Sequence, residues 1–238
     1  MASEIRDLVD NQIRRAELAR RRLAEDGLGL GHKLLPVITI SRQLGSGGHD
    51  VAVALSELTH FSLWDKQLIE AIAEDSHVAN KLVTALDERV ISETEILLRH
   101  LVGEPKIGGF LYKKHLTRTI LQIGRLGNAI IVGRGANFIL PQALNVRVVA
   151  SRDLRVHNLM QSLEIDARSA VLQIDESDKH RSDFSKRLWG RAWDDPLHYD
   201  LTIRTDEFEI GEAAQVITAA LQFRLVHRVG NTPVSELP

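Results

Sequence analysis

From about residue 34 to 224 the chain alternates short, β-branched apolar runs with longer stretches of helical periodicity. Apolar runs bounded by turn residues fall at 35–41, 61–64, 128–133, 145–150 and 200–204, and each predicts a strand. Apolar positions at helical spacing fill 50–59, 66–75, 80–101, 112–126, 152–164 and 209–224. Strands that alternate with helices predict an α/β fold in which helices cover both faces of a parallel sheet. About 63 residues separate the second run from the third, too many for a simple crossover. They predict a helical insertion, at about 65–125.

Ahead of this pattern, residues 3–25 place Ile5, Leu8, Val9, Ile13, Ala16, Leu18 and Leu23 among many charges. That spacing predicts an amphipathic helix, and Gly27, Gly29 and Gly31 then predict a flexible joint. Residues 1–33 therefore form an N-terminal extension. It either packs on the main domain or on another subunit, or docks its arginine-rich face on an anionic partner. Residues 225–238 predict a frayed tail.

Composition narrows the class. The chain has 238 residues, is 44% hydrophobic and 26% charged, and carries a formal net charge of −2. There is material for a sizeable core, and no charge excess of the kind a general nucleic-acid binder shows. No cysteine is present, which excludes disulfides, thiol nucleophiles and thiolate metal sites and fits a reducing, cytoplasmic setting. No apolar run is long enough to span a bilayer. The ten histidines form no H-x-x-x-H pair, so no zinc site is expected.

The chemistry concentrates in a few segments. At the end of the first run, Arg42-Gln43-Leu44-Gly45-Ser46-Gly47-Gly48-His49 makes a glycine-rich turn into a helix. Such a turn lets backbone N–H groups approach an anion at the positive end of a helix dipole, and Gly45, Ser46, Gly47, Gly48 and His49 are the expected phosphate-binding residues. The lysine of a standard phosphate loop is missing, and Gly48 stands in its place. Arg42, folded back over the loop, or a distant arginine such as Arg181 is expected to supply that charge. Gly133-Arg134-Gly135 follows the third run, where an arginine can fork onto a phosphate or carboxylate. Asp65, after the second run, either contacts a ligand or caps the next helix. The charge-dense stretch 175–198 holds Asp178, Arg181, Arg187 and Arg191 and is expected to be a movable segment or a solvated charged loop.

In order along residues 36–222, these segments resemble the cytidylate kinase-like family of the nucleoside monophosphate kinases. The resemblance rests on Ile38–Gly48, Trp64-Asp65-Lys66-Gln67-Leu68-Ile69, Ile131-Val132-Gly133-Arg134-Gly135-Ala136-Asn137, Asp178-Lys179-His180-Arg181, Trp193-Asp194-Asp195-Pro196 and Tyr199–Ile203. It implies a P-loop kinase fold over 34–224, with a five-stranded parallel sheet, a helical monophosphate-binding insertion and a lid at about 175–198. It also implies donor phosphates on Gly45–His49, an acceptor site at Asp65 and Arg134, and lid residues Asp178 and Arg181, with Arg42, Arg181 and Asp178 as the catalytic set. The family pattern departs at Gly48, Gly135 and Ile174, where cytidylate kinases carry the loop lysine, an aspartate and a lid arginine. The expected activity is phosphoryl transfer from a nucleoside triphosphate, ATP with Mg²⁺, to a nucleoside monophosphate or related small acceptor, with Asp50 a candidate Mg²⁺ ligand. Two alternatives remain open on the same residues. One is a nucleotide-binding sensor without transfer activity. The other is an assembly protein that forms a homo-oligomer through its N-terminal helix. Nucleotides are the expected partners, with no general nucleic-acid or membrane binding.

Overall fold

The computed structural model describes residues 2–25, 36–74, 79, 81–83, 85–86, 88–102 and 110–230. Five parallel strands form one sheet: β1 (Val37–Arg42), β2 (Ser62–Trp64), β3 (Ala129–Val132), β4 (Leu144–Val149) and β5 (Leu201–Arg204). Their order is β2-β3-β1-β4-β5, with Ile38 opposite Ile130 on one side and Leu144 on the other. All five expected strands are present, each within two residues of its expected bounds.

The alternation of side chains across the sheet builds two cores. Ile38, Ile40, Ile130, Val132, Val146, Val148 and Ile203 face α2 (Gly48–Thr59) and α9 (Ile210–Gly230). On the opposite face, Val37, Ala129 and Ile131 meet α3 (Lys66–Glu74), α4 (Glu88–Val102), α5 (Phe110–Leu126) and the short α6 (Ala136–Ile139). Toward β4 that second face turns polar. Thr39 donates to Asn145 (2.6 Å), and Arg147, almost wholly buried, donates to the Trp193 carbonyl and lies under the Trp193 ring. Tyr199 bonds the same carbonyl (2.5 Å) and Ser41 (3.1 Å). The Trp193–Tyr199 segment is thus a brace for a buried arginine on this face of the sheet.

The region between β2 and β3 is helical in its described parts, as expected. The single helix expected over 80–101 is interrupted at Ala85 and Leu86, and α4 begins at Glu88. Arg118 on α5 forks onto Glu95 of α4 (2.8 and 3.0 Å), which ties that pair together.

The N-terminal helix α1 (Ala2–Glu25) packs on the domain, against edge strand β2. Val9 and Ala16 are buried in the second core, and Gln12 Oε1 accepts from the Leu63 backbone N–H (2.8 Å). A side chain therefore satisfies an edge donor that would otherwise invite another strand. The glycine joint at 27–31 lies outside the described residues. At the other end, α9 continues to Gly230, so residues 225–230 are helical rather than a frayed tail, and 231–238 lie outside the described residues.

The largest departure from the sequence reading is α8 (Ala167–Trp189), a continuous helix of 23 residues that runs into the stretch 175–198, expected to be a movable segment or a solvated charged loop. Asp166 caps its first turn by accepting from Ser169 N, and Gly190 ends it in the left-handed region (φ 66°). With α7 (Arg152–Leu163) it forms a helical hairpin around Leu159, Ala170 and Ile174, and Leu44 of the glycine turn packs on that cluster.

Candidate functional site

The order of the strands puts β1 at the centre, with the chain leaving in opposite directions from its two sides. In such sheets ligands bind beyond the strand ends at the reversal. Here that place holds the glycine turn after β1 and the Gly133-Arg134-Gly135 turn after β3.

The glycine turn is gripped from behind. Arg155 Nε donates to the Leu44 carbonyl (2.7 Å), Asn158 Nδ2 to Gly45 (2.9 Å) and Thr205 Oγ1 to Ser46 (2.9 Å). Three successive carbonyls therefore point into the protein. Gly45 takes φ +78° and leaves no room for a side chain, since a Cβ would lie 2.6 Å from both the Arg155 carbonyl oxygen and Leu159 Cδ1. Ser46 is fully buried and donates its hydroxyl inward, to the carbonyls of Gln43 (2.9 Å) and Val148 (3.3 Å). Its backbone is engaged as well, the N–H with the Gln43 carbonyl (3.4 Å) and the carbonyl with Thr205, so Ser46 shapes the turn from inside. Gly47 caps α2 without a side-chain bond, so the first-turn amides of Gly48, His49 and Asp50 have no intrahelical partner. His49 and Asp50 are exposed.

Arg42 and Gly48 are sterically reciprocal. A Cβ at Gly48 would lie 2.5 Å from the Arg42 Cβ and 3.0 Å from its Cγ, so the stem of Arg42 fills the space into which a side chain at 48 would grow. The guanidinium then runs away from the turn to Gly133, where a Cβ would collide with Nη1. Arg42 thus reaches across the end of β3, rather than folding back over Gly45–Ser46. Burial is the main cause that lowers its pKa, the nearby Arg134 charge adds to this, and Asp65 works the other way.

Beside these residues lies a cavity of about 890 Å³, with Thr39, Ile40 and Ser41 on its floor. Its cationic lining comprises Arg42, Lys66, Arg134, Arg181 and Arg187, while Glu176 and Asp183 are the acidic members. Phe138, Phe184, Trp189, Trp193 and Tyr199 supply aromatic surface. Arg134 has φ +54° between two glycines at +82° and +69°, a conformation that costs a side-chain-bearing residue about 1 kcal/mol or more. Its ion pair with Glu70 and its stacking on Phe184 (4.9 Å) hold it there. Arg181 is depressed to about 10, first by burial and then by the Arg42 charge, with Arg155 and Arg134 adding to the effect against Asp178. Like charges gathered in a buried cleft are costly for the fold, and such a cost is characteristic of functional sites.

The expected site residues therefore divide. The cavity unites Arg42, Arg134 and Arg181, which are far apart in sequence. Gly45–His49 lie beside it, outside its lining. Asp65 caps α3 by accepting from Leu68 N (2.8 Å), and its charge acts on Arg42. Asp178 is held by Arg155 through both carboxylate oxygens (2.8 and 2.9 Å). Arg155 and Trp189 are not singled out by the sequence, and Lys66 and Tyr199 enter there only as members of the segments that carry the resemblance. The Trp189 indole rests against Gly135, where a Cβ would strike Nε1. Nothing in the local pattern marks that contact.

The chain is similar to known proteins in sequence profile and in fold. A profile of the cytidylate kinase-like family matches residues 37–207. No curated protein matches the chain. Among solved structures, an uncharacterized protein from Eubacterium ventriosum is similar, with a TM-score of 0.55 and 22% identity, over 79% of this chain and 98% of that one. A shikimate kinase from Acinetobacter baumannii has a TM-score of 0.42 and 16% identity, over 83% and 97% of the two chains. One from Bacteroides thetaiotaomicron has 0.45 and 14%, over 79% and 99%. A five-stranded parallel sheet, a glycine turn after its central strand and a family match over most of the chain lead to one assignment: the protein belongs to the cytidylate kinase-like family.

Proposed function

We propose that the chain is a phosphotransferase that uses a nucleoside triphosphate, ATP, as donor and a nucleoside monophosphate or related small anion as acceptor. The observation that carries this reading is the stem of Arg42 in the lysine space at Gly48, with its guanidinium beside Arg134 in a cavity that Arg181 also lines. In the proposed arrangement the donor phosphates rest on the first-turn amides of α2 and the turn Gly45–His49. The transferring phosphoryl group extends into the cavity. There Arg42 and Arg181 stabilise the charge that spreads over its equatorial oxygens, which is most of what catalysis of this reaction requires. Arg134 and Asp65 face the acceptor, and the α7–α8 hairpin acts as the lid.

Among the described residues, no three His, Cys, Asp or Glu side chains are close enough to hold a metal ion unaided. That donor set fits a Mg²⁺ carried in on the nucleotide's phosphates, with Asp50 as its one protein carboxylate. When bound, the ion would neutralise phosphate charge.

The test is calorimetric titration with ATP, ADP and a panel of monophosphates, together with a labelled-phosphate transfer assay. Transfer in the wild type, lowered roughly 10³-fold or more in Arg42→Ala, supports the reading, by analogy with the worth of an arginine supplied to a phosphoryl transition state. Nucleotide binding with no transfer selects the sensor reading, which the glycine at position 48 favours. No heat from any nucleotide sinks both.

A further inference from the structure

Arg155 cannot touch a ligand in the cavity. Its side chain is only 5% exposed, and neither it nor Asp178 lines the cavity, whereas Arg181 does. Two of its three nitrogens are engaged within the protein. Nε bonds the Leu44 carbonyl in the glycine turn, and Nη2 bonds both oxygens of Asp178 on α8. Arg181, one turn further along α8, approaches the same carboxylate only at 3.8 Å, beyond hydrogen-bond distance. One carboxylate thus faces two guanidiniums and is bonded to one of them. The backbone around Arg155 is fixed as well, because its Cα and carbonyl oxygen close on Gly45 and the neighbouring Leu159 packs with Ala170 and Ile174.

We propose that Arg155 is a positioning residue: by holding Asp178, it keeps that carboxylate off Arg181 and leaves the Arg181 guanidinium free for an anionic ligand. The inference rests on the reading of the cavity as a phosphate site. Without Arg155, Asp178 turns to Arg181, the nearest remaining cation, and becomes its counter-ion. Arg181 is then neutralised inside the protein, and a ligand has to displace a carboxylate to reach it. The bond from Arg155 to Leu44 extends the effect, since the same side chain fixes the turn after β1 and the state of the cavity arginine.

The test uses inorganic pyrophosphate as the probe, the full chain, calorimetry at low ionic strength and a parallel melting curve for each variant. Arg155→Met is expected to weaken pyrophosphate binding roughly tenfold, the size of one charge-assisted hydrogen bond. Arg155→Met with Asp178→Asn is expected to return to within about threefold of wild type, because the competing charge is gone. A structural defect from the orphaned carboxylate would also be relieved by the second substitution, so the deciding readout is the affinity of Arg155→Met protein at a temperature where its melting curve shows it folded. If the single variant fails to fold, the double variant still decides. It removes the buried pair together, which proteins tolerate better than an orphaned charge, and its affinity can be set directly against wild type. Wild-type affinity in Arg155→Met, a double variant tenfold weaker than wild type, or a wild type that ignores pyrophosphate overturns the proposal. A wild type that binds pyrophosphate but not ATP or ADP removes the nucleotide reading and leaves this one standing.

Discussion

At position 48 a side chain and a hydrogen have changed places with position 42. Gly48→Lys would recreate the standard loop on paper, yet its Cβ meets the Arg42 stem at 2.5 Å, and a Cβ cannot swing away as a side-chain tip can. The expected outcome is a loss of about 1–3 kcal/mol, the usual cost of overpacking, read as a lower urea midpoint at unchanged slope. Arg42→Gly added to Gly48→Lys opens the space, and the double variant should recover most of the loss. If the two substitutions destabilise independently and add, the two positions are not reciprocal. Gly133 belongs to the same unit, because Arg42 Nη1 occupies the space of its missing side chain. Asp65 shows how two readings of one residue can both hold. It is a helix cap by geometry and a partner of Arg42 by charge.

Among the elements, α1 and α8 carry opposite lessons. The periodicity of α1 is plain in the sequence, and its apolar positions Val9 and Ala16 are the ones that become buried. What the pattern does not reveal is the target, edge strand β2, where Gln12 takes the Leu63 N–H. Removal of residues 1–25 is expected to expose that edge and part of the second core, so the truncated chain should melt lower and self-associate on size exclusion. A truncated chain that remains monomeric with an unchanged melting point would contradict this role. The helix α8 escapes notice because its buried stripe is thin: Ala170, Ile174, Ser185 and Leu188 among many charges. Its boundary signals, Asp166 and Gly190, stand at both ends of the stretch. Helix caps were the legible evidence there, and periodicity was not. The strands behave in the reverse way, since runs such as Val37-Ile38-Thr39-Ile40 and Ala129-Ile130-Ile131-Val132 are buried almost throughout and declare themselves by composition.

For the whole molecule, the cavity is a device assembled by topology. Arg42 ends β1, Arg134 follows β3, and Arg181 sits on α8, yet all three line one cavity. Each arginine was visible singly as a candidate, but their convergence follows from a strand order that a sequence does not display. Arg155 is invisible for a related reason: it is one charged position in a helix read from its apolar spacing, and its burial comes from contacts with the glycine turn and α8 that lie far away in sequence. The cluster also sets a stability trade. The folded pKa of Arg181, about 10, is below that of a free arginine, so the fold disfavours the charged form. That cost is present in full below pH 10 and fades as pH rises through 10 toward the ordinary arginine range. At neutral pH a bound anion, or loss of the side chain, lifts it. Arg181→Met should therefore melt higher than wild type without ligand, by about 2–4 °C for each kcal/mol relieved, while pyrophosphate should raise the melting point of wild type and not of the variant. A lower ligand-free melting point in the variant would mean that the pairing with Asp178 outweighs the repulsion.

The exchange between positions 42 and 48 has a consequence for how such chains are found. A census of nucleotide binders that demands an ammonium group after the second glycine passes over any chain that fills the same volume from the opposite wall of the turn. A query written in terms of occupied space, one large basic side chain shared between two positions with a glycine at the other, would collect both arrangements.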